Sequence, residues 1–115
     1  MRNDKENIIV EKSLEFAVRI MEYAGKLEEE KKFIISRQLL KSGTSIGANI
    51  REAQNAESKT DFIHKMKIAA KEAEETDYWL TLCKLADGYP YDEKLHERLT
   101  ELIRILSKII STSKQ

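Results

Sequence analysis

The sequence predicts an all-α protein, an antiparallel up-down-up-down bundle of four helices, and three observations predict it. Glycine and proline are scarce, at four and one in 115 residues, while 41% of the chain is hydrophobic and 35% charged. That mix suits long amphipathic helices and argues against both a turn-rich β fold and a disordered chain. Apolar residues recur at alternating spacings of four and three along four successive stretches, the mark of helices packed at a shallow angle. The connections between these stretches are short and polar, which makes consecutive helices antiparallel neighbours. One domain, residues 1–115, is expected, with enough chain to bury a core.

The first helix is expected over about residues 8–27. Val10, Leu14, Ala17, Met21 and Ala24 read as its packed seam, with Ile9, Phe16, Ile20, Tyr23 and Leu27 forming a second apolar stripe beside it. Together the stripes are wider than one helix–helix contact requires. Gly25 and the run Glu28-Glu29-Glu30 read as a turn, the acids suiting the positive end of the next helix. The second helix, about residues 29–55, carries Ile35, Leu39, Ser42, Ile46, Asn49 and Ala53 on its seam, with Ser36, Leu40, Gly43, Gly47 and Ile50 alongside. Gly43 and Gly47 each cost a helix about 0.5–1 kcal/mol relative to alanine, so close approach of a neighbouring helix is expected to offset them. Asn49 is expected as a register-setting polar group of the core, which must find a partner there.

The third helix, about residues 58–87, opens at Ser58 with Asp61 three positions on, an N-cap pattern. Phe62, Met66, Ala69, Ala73, Thr76, Leu80 and Cys83 hold one seam throughout. It ends before Asp87-Gly88 and Pro90, as helix C-termini commonly do. The fourth, about residues 92–112, repeats the pattern in Leu95, Leu99, Leu102, Leu106 and Ile109.

Little in the chain points to chemistry. The single cysteine, Cys83, excludes an internal disulfide and falls on a seam, where it is expected as a small buried hydrophobe. Asp61/His64 and Glu93/His96 have the acid and histidine spacing of carboxylate-bridged metal bundles. The helix order, however, sets the two histidines at opposite ends, roughly 30 Å apart at 1.5 Å per residue, and both are expected to be exposed. No metal, cofactor or small-molecule substrate is therefore expected. The glycines lie within a helix rather than in a phosphate-binding loop, and the acids Glu72, Glu74, Glu75 and Asp77 read as a solvated face. The protein is expected not to be an enzyme.

Lys and Arg together number 20, as do Asp and Glu, so the net charge is zero. The charge is not spread evenly. Up-down topology brings residues 1–14, 48–71 and 101–115 to one half of the bundle, with eleven bases against seven acids, a net +4. Arg51, Lys59, Lys65, Lys67, Lys71, Arg104 and Lys108 of this half are the candidate contacts to nucleic-acid phosphates. No aromatic is interleaved with them outside the core, so base stacking is not supported. On the third helix Tyr78, Trp79 and Leu82 lie opposite the seam and, with Phe16 and Tyr23 of the first helix's second stripe, are the candidate surface for self-association. No apolar run approaches the roughly 18 residues needed to span a bilayer, and the charged N-terminus is not a signal peptide. A cytoplasmic protein is expected.

Ser45-Ile-Gly-Ala-Asn-Ile-Arg-Glu52, Asp61-Phe-Ile-His-Lys65, Ile68-Ala69 and Glu75-Thr-Asp-Tyr-Trp-Leu80, in that order, resemble the four-helix-bundle proteins encoded in 23S ribosomal RNA intervening sequences. These are often labelled S23 ribosomal proteins. Ala53 departs from the glycine expected after the Asn-Ile-x-Glu run. The chain is more distantly similar to the accessory protein of diversity-generating retroelements, a ring of similar bundles that binds nucleic acid and a reverse transcriptase. The resemblance implies a homo-oligomeric ring, a homopentamer, that contacts RNA or DNA and carries no catalytic residues. The alternative is a protein-interaction scaffold without a nucleic-acid role.

Overall fold

The computed structural model describes residues 4–114, with side chains from Ile8 onward. Four helices follow one another: α1 (Asp4–Glu29), α2 (Phe33–Ala53), α3 (Lys59–Leu85) and α4 (Glu93–Ser113). Each helix packs chiefly on two others, α1 on α2 and α4, α3 on α2 and α4. Side-chain pairs fix the directions. Ser36 reaches the carbonyl of Ala24 and Gly43 lies on Ile20, so α2 descends along α1. Ser42 meets Thr76 and Glu52 meets Lys65, while Glu101 meets Lys12 and Arg98 meets Glu15. All the adjacent helices so linked are antiparallel, and the expected up-down-up-down bundle results.

The termini follow local rules. Ser58 caps α3 by accepting from the Asp61 amide at 3.0 Å, and Asp92 caps α4 by accepting from the Leu95 amide at 3.0 Å. The turn between α1 and α2 lies later than Gly25, which is helical. The amide of Lys32 donates to the Leu27 carbonyl at 2.8 Å and that of Lys31 to Glu28 at 2.9 Å. These are the paired bonds of a Schellman ending, and they place Lys31 in the left-handed region, φ 63°.

The core differs from expectation in the phase of α1. Ile9, Phe16, Ile20, Tyr23 and Leu27 are buried, whereas Leu14 and Met21 are 60% and 59% exposed and only Ala24 of the expected seam is buried. The reason is α2. A Cβ on Gly43 would lie 2.8 Å from Cγ1 of Ile20, and one on Gly47 would lie 3.3 Å from the Ser13 carbonyl. These glycines let α1 approach on the Ile20 side, and the rest of that stripe follows inward. In α2 the buried line runs through Ser36, Leu39, Ser42, Gly43, Ile46, Ile50 and Ala53. Asn49 is only half-buried, and its Nδ2 donates to the Ser45 carbonyl of its own helix at 2.9 Å. It therefore does not act as a register-setting core amide.

The seams of α3 and α4 are as expected, with Cys83 buried and Phe62 packed at the edge of the core. A polar link joins α2 to α3 in this interior. The hydroxyls of Thr76 and Ser42, both fully buried, lie 2.8 Å apart, and Thr76 is also 2.8 Å from the Glu72 carbonyl. A carbonyl only accepts, so the Thr76 proton goes to Glu72 and Ser42 supplies the proton between the hydroxyls.

Two glycine substitutions separate packing from propensity. Gly43→Ala should lose about 1–3 kcal/mol, because branched, buried Ile20 has no room to yield. Gly25→Ala, with nothing within 4 Å of the new Cβ, should gain about 0.5–1 kcal/mol. Urea unfolding of the two variants checks both signs, and Ile20→Val should recover part of the Gly43→Ala loss.

Candidate functional site

Among the described residues no three His, Cys, Asp or Glu side chains gather closely enough to hold a metal ion. His64 is exposed, as expected. His96 is not. It is half-buried, with Nε2 2.6 Å from Asp77 Oδ1 and Nδ1 2.7 Å from the Tyr91 hydroxyl. An ionised carboxylate only accepts, so Nε2 carries a proton, and in the neutral imidazole Tyr91 donates to Nδ1. The carboxylate–imidazole–phenol line resembles a proton relay but ends in the wrong group for one. Burial, with Glu93 and Asp77 adding to it, raises the Tyr91 phenol above its ordinary value, so it is held neutral rather than activated. The line binds α4 to α3 and to their connection.

That connection is held again by Tyr23, whose hydroxyl donates to the Pro90 carbonyl at 2.5 Å. Burial pushes the Tyr23 phenol far above its usual 10.0, with Cys83 and then Asp92 and Tyr91 adding to it, and burial likewise raises the Cys83 thiol. A protonated, buried thiol is a poor nucleophile. Among the described residues, then, the nucleophile and base of a hydrolytic or redox site are not brought together.

The surface is more informative than the interior. Val10, Leu14, Ala17 and Met21 form a stripe along the outer side of α1. Val10, Leu14 and Ala17 border Thr44, Gly47 and Ala48 of α2 across a cavity of about 180 Å³ that Arg51 also lines. A second apolar area lies at the other end of α2 and on α3. There the exposed Leu82 and Leu85 line a cavity with Ile35, Cys83, Ala86 and Tyr89, and Ile34 and Tyr78 are exposed on the same two helices. Of the five residues expected at a self-association surface, Tyr78 is 58% exposed and Leu82 is exposed, while Trp79 is half-buried, its ring N–H on Glu75 Oε2 at 3.1 Å. Phe16 and Tyr23 are corrected outright. At 1% and 3% exposure they belong to the chain's own core and have no surface to offer a partner.

The basic residues share one end of the bundle but not one side. Arg51 lines the α1–α2 cavity, and Lys65 turns to α2 and pairs with Glu52 at 3.1 Å. Lys67 and Lys71 are exposed on α3, Arg104 and Lys108 on α4, and Lys59 is exposed at the start of α3. Lys12 is taken up by Glu101 at 3.2 Å. Arg2 and the side chains of Asp4, Lys5 and Glu6 lie outside the described residues.

Residues 5–111 match the model of the 23S rRNA-intervening sequence protein family. The chain belongs to that family. Among solved structures it is similar to a protein of unknown function from the S23 ribosomal protein family of Bacteroides thetaiotaomicron VPI-5482, at 48% identity and a TM-score of 0.87. That match covers 93% of this chain and 98% of the Bacteroides one. No curated protein matches. The bundle of this family member holds no helix long and apolar enough to cross a membrane among its described residues.

Two features of this member escaped sequence reasoning. His96 bonds to residues in other segments, so no spacing within one helix marks it. The outward stripe of α1 was visible as a stripe, but not as outward.

Tyr23 yields a test with a definite sign. A phenol raised by folding favours the folded state while it stays protonated, and the unfolded chain begins to ionise near 10.0. Stability should therefore fall as the pH rises above about 10, and Tyr23→Phe should remove this part of the slope, read by urea unfolding at pH 9 and pH 11.

Proposed function

We propose that this chain is a non-enzymatic, cytoplasmic, ring-forming homo-oligomer, a pentamer as the family resemblance implies, whose basic end contacts the phosphates of structured RNA or DNA. The observation that carries the reading is the exposure of Leu14 and Met21 on α1, beside an apolar cavity between α1 and α2 that Arg51 also lines. Clustered apolar exposure of this kind is rare on a monomer's surface. A second, different apolar area on α2 and α3 supports head-to-tail assembly, since two unlike patches that fit each other build a ring when the rotation closes. The same arrangement would repeat the basic end around the ring and multiply a modest charge excess. Leu14, Met21, Tyr78 and Leu82 take the interface role in this reading.

A scaffold for other proteins, with no nucleic-acid role, is the second reading. The pairing of Lys65 with Glu52 and of Lys12 with Glu101 favours it, because each pair removes a cation from the basic end.

Light scattering on the unaltered protein should give several protomer masses, and Leu14→Glu with Met21→Glu should disperse the assembly while leaving its helicity intact. A monomeric unaltered protein would sink the ring. Binding to duplex RNA should weaken steeply with salt, and Lys67→Gln should flatten the log–log slope by roughly 0.9 for each phosphate it ceases to neutralise. Absence of binding near 50 mM salt would favour the scaffold.

A further inference from the structure

We propose that the groove between α1 and α4 binds a phosphate-bearing anion, held by Arg19, Lys94 and Arg98. These three cations line a cavity of about 280 Å³ together with Asp92 and Leu95. Each arginine engages a single carboxylate oxygen: Arg19 Nη1 lies 3.2 Å from Glu22 Oε1, and Arg98 Nη1 lies 3.5 Å from Glu15 Oε1. A guanidinium has five N–H donors, so most of each fork remains open. Exposed one-point pairs of this kind are weak, whereas a phosphate accepting from two forks gains charge-assisted, bidentate bonds. Lys94 enters no ion pair among the described residues and adds a third charge at the rim.

One carboxylate lines the cavity itself, beside the Glu15 and Glu22 that pair with the arginines. Asp92 lines the cavity, but its Oδ1 is turned onto the Leu95 amide at 3.0 Å, where it caps α4. The site is also open in a different sense from the apolar faces. Among the described residues, α4 has no large exposed hydrophobic side chain, unlike α1, α2 and α3. Its groove with α1 lies on the opposite side of α1 from the stripe of Leu14 and Met21, so self-association through that stripe leaves it free. Arg51 and the other candidate residues of the basic end take no part in lining this groove.

Titration of the intact protein with inorganic pyrophosphate at low salt, and separately with a short RNA duplex, tests the site. Arg98→Gln and Lys94→Gln should each weaken binding roughly tenfold. Asp92→Asn should tighten it, because asparagine keeps the cap and removes the repelling charge. Lys67→Gln, outside the groove, should leave pyrophosphate binding unchanged. Lys94→Gln alters an exposed side chain and breaks no ion pair among the described residues, so its effect cannot be ascribed to unfolding. Loss of pyrophosphate affinity with RNA binding intact would mark a free phosphate as the ligand. A parallel or exclusive loss of RNA affinity in Arg98→Gln would mark nucleic-acid phosphates. The proposal is overturned if neither probe binds saturably, or if binding is the same in Arg98→Gln, Lys94→Gln and Asp92→Asn as in the unaltered protein.

Discussion

Ile20 rests on the backbone of α2 where Gly43 has no side chain, and one turn further along α2 Ser13 rests where Gly47 has none. This close approach sets the rotation of α1. With Ile20 inward, Phe16, Tyr23 and Leu27 turn inward at spacings of three and four, and Leu14 and Met21 are carried to the outside. The core and the exposed apolar face are thus consequences of one contact. The two glycines weaken α2 as an isolated helix, and the packing they admit compensates within the bundle.

That dependence explains what could be read from the chain and what could not. In α3 and α4 a single seam runs the length of the helix, and residues such as Ala69, Ala73, Leu99 and Leu106 could be assigned to the core directly. The first helix has two stripes of equal period. Periodicity supplies the spacing of a seam but not the choice between two seams. The choice lies in the fit between helices, a large Ile20 opposite Gly43 and a small Ser13 opposite Gly47, which no single segment contains. Asn49 shows the same limit, since a polar residue one position away from the buried line satisfies itself on its own helix. His96 was hidden for a related reason: its partners Asp77 and Tyr91 are 19 and 5 residues away and come from another helix and a connection.

The surface is polarised around the bundle rather than only along it. Counting charges by helix order assigns bases to an end of the molecule, but it carries no information about their angle around the axis. In the folded chain they spread over several sides, and two of them are neutralised by Glu52 and Glu101. Among the described residues the large exposed hydrophobic side chains lie on α1, α2 and α3, and none lies on α4. A helix without large exposed hydrophobic side chains is suited to face water, and helices that expose them are suited to a further layer of packing.

The hydroxyl of Tyr23 on the Pro90 carbonyl has a consequence for the order in which the chain can reach its final state. The two groups are 67 residues apart. A hairpin of α1 and α2 can form from nearby contacts while the chain is still emerging during synthesis, but it leaves the Tyr23 hydroxyl without its acceptor. The acceptor arrives only with the last connection, just before α4. Burial of that phenol is therefore tied to closure of the whole circuit of helices, and a molecule lacking its final quarter would hold a polar group at the edge of an unfinished interior. Such a long-range tie slows the final step and makes it concerted, because the first helix cannot settle fully until the fourth is about to dock.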